Sequence, residues 1–285
     1  MQPNKKLIRQ PAQDVNERPF MVIWETTMAC DLACRHCRAE AIAIHDPKRL
    51  TTDEGKRLLD QIKTFGKPPP IVVLTGGDPF KRDDIFELVA HGSEIGLPMA
   101  VSPSATPLLT YRNLQRLRDA GAKAISIMLD GATSYSHDAF RGVDGSFQMT
   151  LDGWHDAHDI GLKVQINTTV TCHNLHELPD ILKLVREHGV MTWSVFFLVP
   201  TGRGLIEDEI TTAEYEDVMN WLYDASRYIR VKTTEGHHYK RVVVQRSILD
   251  AKEADIVVEM GLGDTYHRLH DQLDRYENDS LLPLD

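Results

Sequence analysis

At 285 residues the chain can bury the core of one large α/β domain, and 42% hydrophobic with 26% charged residues is a globular balance rather than a disordered one. Lys+Arg 32 against Asp+Glu 42 gives a formal charge of -10, which opposes a phosphate backbone, so no nucleic-acid partner is expected. No stretch approaches the roughly 20 apolar residues of a membrane span, and "MQPNKKLIRQPAQDVNERPF" lacks a signal-peptide core, so no membrane association and a cytoplasmic location are expected.

Short apolar runs alternate with amphipathic stretches. The runs "VIWETT" (22–27), "IVVLTGG" (71–77), "PMAVSPS" (98–104), "AISIMLDG" (124–131), "KVQINTTVT" (163–171) and "WSVFFLVP" (193–200) predict six strands. Thr51 with Glu54, and Thr211 with Glu214, have capping-box spacing ahead of helical patterns. Further helices are predicted near 83–95, 111–120, 146–160 and 175–188, and Gly66, Gly96, Gly121, Gly161 and Gly189 stand where helix ends are expected. Past Pro200 the pattern loosens into a helix, an apparent strand "YIRVKTTE", mixed signals, and a tail where Tyr266, Leu269, Leu273 and Tyr276 form a helical stripe. The domain reading is an N-terminal arm (1–17), a core (18–205) and a C-terminal appendage (206–285). Strand-helix alternation predicts a parallel sheet, closed as a barrel or open, with ligands at the carboxyl ends of its strands.

That rim carries the polar punctuation: "ACDLACRHC" after the first strand, "GGDP" ending the second, "SPSAT" the third, "DGAT" the fourth and "VPTGRG" the sixth. Cys30, Cys34 and Cys37, three of the four cysteines, have C-x3-C-x2-C spacing, which converges soft thiolate ligands on one small object. A 4Fe-4S cluster held by three cysteines leaves one iron open to a substrate or cofactor. A zinc site is the alternative, with His36, His45 or Cys172 as fourth ligand. Cys172 otherwise reads as a lone packed thiol.

The cysteine motif after a first strand, followed by "TGGDP" ending a second, resembles the radical S-adenosylmethionine superfamily. The resemblance spans about residues 18–205 and implies a partial (β/α)6 barrel with a short C-terminal appendage. It implies a 4Fe-4S cluster on Cys30, Cys34 and Cys37 whose open iron binds S-adenosylmethionine. Reductive cleavage then gives a 5'-deoxyadenosyl radical that abstracts a substrate hydrogen. By position, Gly76, Gly77, Asp78 and Pro79 correspond to the family's glycine-rich motif, whose backbone meets the methionyl amino group. Asp78 stands where Glu is commoner. Ser102, Ser126 and Asp130 correspond to polar contacts to the methionyl and ribose parts, and Arg141 to a partner of the carboxylate. Asn167, with Gln165 and Thr169 on one face of the fifth strand, is a cavity-lining candidate, and Leu198 to Pro200 would shelve the adenine. Arg203 is a candidate contact for a substrate acid.

"RPFMVIWETTMACDLACRHCRAEA" and "FFLVPTGRG" look most like the branch with a cysteine-rich C-terminal extension, which includes peptide maturases and haem-biosynthesis enzymes. No cysteine follows Cys172, so the auxiliary clusters of that branch are not expected here. The expected substrate is a peptide or a tetrapyrrole-like cofactor precursor, with a ferredoxin- or flavodoxin-type electron donor. The competing readings are a non-catalytic zinc- or cluster-binding protein, and a truncated relative without productive turnover.

Overall fold

The structure, a computed structural model, describes residues 14–39, 41–44 and 48–279; the arm before residue 14 and His45 lie outside the described residues. Seven strands hydrogen-bond in chain order: β1 (Met21–Thr27), β2 (Ile71–Gly76), β3 (Met99–Val101), β4 (Ala124–Met128), β5 (Lys163–Val170), β6 (Thr192–Phe197) and β7 (Val231–Thr234). The first six lie within the runs expected of them, give or take a residue. β7 is the apparent strand "YIRVKTTE", and it pairs in parallel with β6. This is an α/β fold of parallel strands with intervening helices.

Those helices are α1 (Thr52–Lys63), α2 (Ile85–Glu94), α3 (Tyr111–Asp119), α4 (Ser134–Arg141), α5 (Ser146–Asp159), α6 (Leu178–His188), α7 (Thr212–Ala225), α8 (Tyr239–Ala251), α9 (Ile256–Met260) and α10 (Asp264–Asp279). Both expected capping boxes form: the Thr51 hydroxyl accepts from the Glu54 amide while Glu54 accepts from the Thr51 amide, and Thr211 with Glu214 repeats the exchange.

Two compact units divide the described chain. Residues 14–167 with 201–204 hold β1 to β4, most of β5, and α1 to α5, around a core that includes Leu59, Leu74, Leu88, Met99 and Ile127. Burial alternates along β2 and β4: Val72, Leu74, Ile125 and Ile127 are buried on one face, while their strand neighbours on the other are only half-buried. Residues 168–200 with 205–279 hold the end of β5, β6, β7 and α6 to α10. Trp193 and Trp221 meet there edge to face with centroids 6.2 Å apart, and the indole N–H of Trp193 donates to Thr168 Oγ1 at 2.9 Å.

The tail stripe packs as expected, with Tyr266, Leu269 and Leu273 buried on α10. α8 gives mixed signals in the sequence because its buried face includes a cation. Arg246 donates to Asp224 Oδ1 at 2.6 Å, and Tyr266 donates to Asp224 Oδ2 at 2.8 Å, tying α7, α8 and α10 through one carboxylate. No helix among the described residues is long and apolar enough to cross a membrane. Because the Arg246 and Asp224 side chains are 1% and 3% exposed, Asp224→Ala leaves an uncompensated buried charge and is expected to cost about 3–5 kcal/mol in chemical denaturation. Asp224→Leu with Arg246→Met is expected to recover most of that loss.

Candidate metal centre

The three cysteines leave β1 on a loop whose backbone is pinned at several points. The Cys30 amide donates to the Ile42 carbonyl at 2.8 Å, the Ala33 amide to the Arg141 carbonyl at 3.1 Å, and the Arg35 amide to the Phe140 carbonyl at 3.0 Å. Cys30 and Cys34 are buried and Cys37 is half-buried, all three free thiols packed with Leu32, Ala41 and Val143. The Leu32 amide donates to Cys30 Sγ at 3.4 Å, and Ser104 Oγ lies 3.6 Å from the same sulfur. Burial pushes the Cys34 thiol above its ordinary pKa against the pull of Arg141, so an electrophile is needed to draw off its proton at neutral pH.

"GGDP" meets this loop backbone to backbone. The Gly77 amide donates to the Thr27 carbonyl and the Asp78 amide to the Ala29 carbonyl, both at 2.7 Å. Gly76 has φ +135, and a Cβ there would sit 2.2 Å from the Thr27 carbonyl oxygen, so only glycine fits. Asp78, fully buried, spends its carboxylate within the protein. It accepts from Thr106 Oγ1 at 2.7 Å, the Phe80 amide at 3.1 Å and the Ser104 amide at 3.4 Å, while burial holds its pKa above the usual carboxylate value. Pro79 opens a one-turn 3-10 helix (Pro79–Lys81), and Lys81 pairs with Asp31 of the cysteine loop.

Ser102, just past β3, donates to the Ser126 carbonyl on β4 at 3.1 Å. Past the end of β4, Asp130 is fully buried and accepts from Arg141 Nη1 at 3.2 Å. Arg141 closes α4, and its buried Nε has no partner among the described residues. Burial opposes its charge, but Cys34, Asp130, Cys30 and Cys37 outweigh that and hold its pKa above the ordinary value. His137, one turn earlier on α4 and fully buried, accepts at Nδ1 from the Asp130 amide at 3.1 Å, so Nε2 carries the proton; that atom is buried without a partner among the described residues. Burial first, then Arg141, lowers the His137 pKa from 6.5 to about 4. His36, between the second and third cysteines, stacks on Phe140 with centroids 4.9 Å apart and is likewise lowered to about 4 by burial.

Arg203 holds the cysteine loop. Its Nε donates to the Cys34 carbonyl at 2.9 Å and its amide to the Cys37 carbonyl at 3.0 Å. Gly202 has φ +60, and a Cβ there would lie 2.4 Å from the Cys37 oxygen, so "TGRG" packs closely on the later part of the cysteine loop. Asn167, near the end of β5, is buried and accepts from Gln165 Nε2 at 2.7 Å, which confirms their shared face. Thr169 and Leu198 belong to the other compact unit: Thr169 is buried in β5, and buried Leu198, after β6, accepts at its carbonyl from the Tyr215 hydroxyl at 3.3 Å. Cys172, in that same unit, is exposed rather than packed.

A trio of soft donors, two buried and one half-buried, an N–H directed at one sulfur, and a cation whose charge all three sulfurs favour fit a metal cluster. Residues 24–185 match the profile of the Radical SAM superfamily. The chain belongs to the Radical SAM superfamily. It is 44% identical to an AdoMet-dependent heme synthase of Nitratidesulfovibrio vulgaris over 84% of its own length and 64% of that protein's. It is 32% identical to a PqqA peptide cyclase of Bradyrhizobium diazoefficiens over 58% of its length and 43% of the cyclase. In three dimensions it resembles Streptococcus suis SuiB bound to S-adenosylmethionine, with TM-score 0.62 and 20% identity over 75% of this chain and 50% of that one. The chain thus spans under two thirds of the length of these relatives. The superfamily's cofactors are a 4Fe-4S cluster and S-adenosylmethionine, and its peptide- and haem-related branch is the one the sequence resembles.

For a Radical SAM protein, the parts that motif reading missed are the supports. His137 and all of α4 went unpredicted, although Thr133 and Ser136 form a capping pair and His137 and Arg141 share a helix face. Arg203→Met keeps the apolar stem but removes the donor to Cys34, and is expected to lower apoprotein stability by about 1–3 kcal/mol, read from denaturant midpoints. His137 is held neutral in the native state, so unfolding takes up its proton between its ordinary pKa of 6.5 and its folded value of about 4. Stability is therefore lost as pH falls through that window, by about 3 kcal/mol from this residue. His137→Asn, which keeps an acceptor but cannot titrate, should flatten that part of the apoprotein's stability-against-pH curve.

Proposed function

We propose that this protein is a radical S-adenosylmethionine enzyme in which Cys30, Cys34 and Cys37 supply three thiolates to a 4Fe-4S cluster. The observation that carries the reading is that trio, set beside the Arg141–Asp130 pair on a loop held by "GGDP" at Thr27 and Ala29 and by "TGRG" at Cys34 and Cys37. When bound with S-adenosylmethionine, the cluster supplies the electron for reductive cleavage of the sulfonium to methionine and a 5'-deoxyadenosyl radical.

The chain's own residues bind and orient. Arg141 offsets the negative charge of the sulfurs, and its unpartnered Nε is a donor for a carboxylate such as the methionyl group. Asp130 fixes that guanidinium, and its position past β4 suits a ribose hydroxyl as well. Asp78 works as a positioning residue, because its oxygens already hold Phe80, Ser104 and Thr106; the ligand contact in this motif falls to the backbone of Gly76, Gly77 and Pro79. Ser102 just past β3, Ser126 within β4 and Asn167 within β5 supply polar groups from successive strands.

For the substrate, similarity to a heme synthase at 44% identity over 84% of the chain outweighs 32% over 58% for a peptide cyclase. We read the substrate as a tetrapyrrole-like cofactor precursor, with a low-potential donor of the ferredoxin or flavodoxin class delivering electrons. Four free thiols suit a reducing compartment, which we take to be the cytoplasm.

Anaerobic reconstitution is expected to give a brown protein with about four iron and four sulfide per chain that releases 5'-deoxyadenosine when reduced with S-adenosylmethionine. Cys34→Ala should lose both properties. Colourless protein carrying a single zinc would overturn the reading in favour of a non-catalytic metal-binding protein. Adenosyl release that no porphyrin accelerates would retire the tetrapyrrole assignment and leave either the peptide class or uncoupled cleavage by a truncated relative.

A further inference from the structure

We propose that Cys172, His173 and Asp208 form a second metal site, selective for a borderline transition ion of the Zn2+ class and with one coordination position left open. The site lies in the unit of residues 168–200 and 205–279 and shares no residue with the cysteine loop. It is independent of the radical reading above.

Two loops build it. β5 ends at Val170, and the chain turns at once: the Thr171 amide donates to Asn174 Oδ1 at 2.9 Å, Asn174 Nδ2 donates to the Thr169 carbonyl at 2.8 Å, and the His173 amide donates to Thr171 Oγ1 at 3.3 Å. In an extended strand the neighbouring Cys172 and His173 would point to opposite faces; in this turn they converge. The second loop is the 3-10 turn Ile206–Asp208. The loops are stitched together by the Cys172 amide donating to the Asp208 carbonyl at 3.0 Å and the Cys172 thiol donating to the Glu207 carbonyl at 3.4 Å.

The donor atoms, one sulfur, one imidazole nitrogen and one carboxylate oxygen, lie within 4.8 Å of one another. His173 Nε2 and Asp208 Oδ1 are 2.5 Å apart. A tetrahedral ion with bonds of about 2.0–2.3 Å needs nitrogen and oxygen about 3.3 Å apart, a side-chain adjustment of under about 1 Å. A mixed sulfur, nitrogen and oxygen set suits Zn2+, whereas Mg2+ and Ca2+ want oxygen alone. Three protein ligands with an open position is the pattern of zinc sites that hold a water or a substrate atom.

An ordinary surface ion pair between His173 and Asp208 is the plainer account. Burial speaks against it: the Asp208 side chain is 8% exposed against 40% for His173, and the ion pair formed by Asp208 among the described residues is with that imidazole. A buried carboxylate calls for a strong positive partner, and an ion bridging carboxylate, imidazole and exposed thiol provides one.

The test uses the full chain in two backgrounds: cluster-loaded holoenzyme, whose other three cysteines are engaged, and the Cys30→Ala/Cys34→Ala/Cys37→Ala variant. Both are expected to retain about one zinc per chain through gel filtration. Co2+ added to the triple variant should give the intense bands of a tetrahedral ion with thiolate charge transfer. Cys172→Ser and Asp208→Asn, each near-isosteric, should weaken zinc binding at least about ten-fold, and Cys172→Ser should abolish the charge transfer. Unchanged iron content in their holoenzymes shows that the fold has survived. Should Asp208→Asn fail to fold, Cys172→Ser, at an exposed position, decides alone. Zinc that is not retained by the unsubstituted holoenzyme, or that is held as tightly by Cys172→Ser, overturns the proposal.

Discussion

Three thiols brought into one small buried space repel one another as soon as they lose their protons, and the rest of the site follows from holding them there. Sulfur chemistry demands the convergence, and a loop left to itself would not maintain it. The chain answers with backbone rather than with bulk. Four separate segments, Gly77–Asp78, Ile42, Phe140–Arg141 and Arg203, make main-chain hydrogen bonds with residues 27–37. Such bonds resist small displacements and introduce no side chain into the space that the sulfurs must share.

Charge is the second half of the same problem. Arg141 is nearly fully buried, which alone would disfavour its cation, yet the three cysteines and Asp130 hold its pKa above normal. Thiols and guanidinium therefore depend on one another: deprotonated sulfurs justify the buried cation, and the cation eases deprotonation. His137 and His36, both lowered to about 4, stay neutral at physiological pH and add no further positive charge. Arg141 stays a permanent cation beside the sulfurs, and the two imidazoles are silent.

What the sequence made legible was the part governed by period and spacing. Six strands, both capping boxes and the cysteine triplet are written locally, in residues a few positions apart, and they stand in the structure as read. α8 was obscure because Arg246 occupies its buried face, so a hydrophobic periodicity cannot show there. α4 was passed over because it spans only Ser134–Arg141 between a loop and a glycine turn. The task of Arg203 depends on carbonyl groups of Cys34 and Cys37, far away in the chain, and backbone carbonyls leave no trace in side-chain identity.

The same distinction applies to Asp78, whose position is written in the sequence and whose partners are not. Its place in "GGDP" marks it by position, yet its carboxylate faces inward and ties the 3-10 turn to Ser104 and Thr106. A longer acidic side chain would overshoot Thr106 Oγ1, which lies 2.7 Å away in a fully buried pocket, so the shorter residue belongs with this particular hydroxyl. Ser104 then carries the effect to the metal centre, donating to the Gly77 carbonyl at 3.0 Å while its oxygen lies 3.6 Å from Cys30 Sγ. An aspartate that touches no sulfur thus sets where the first one sits.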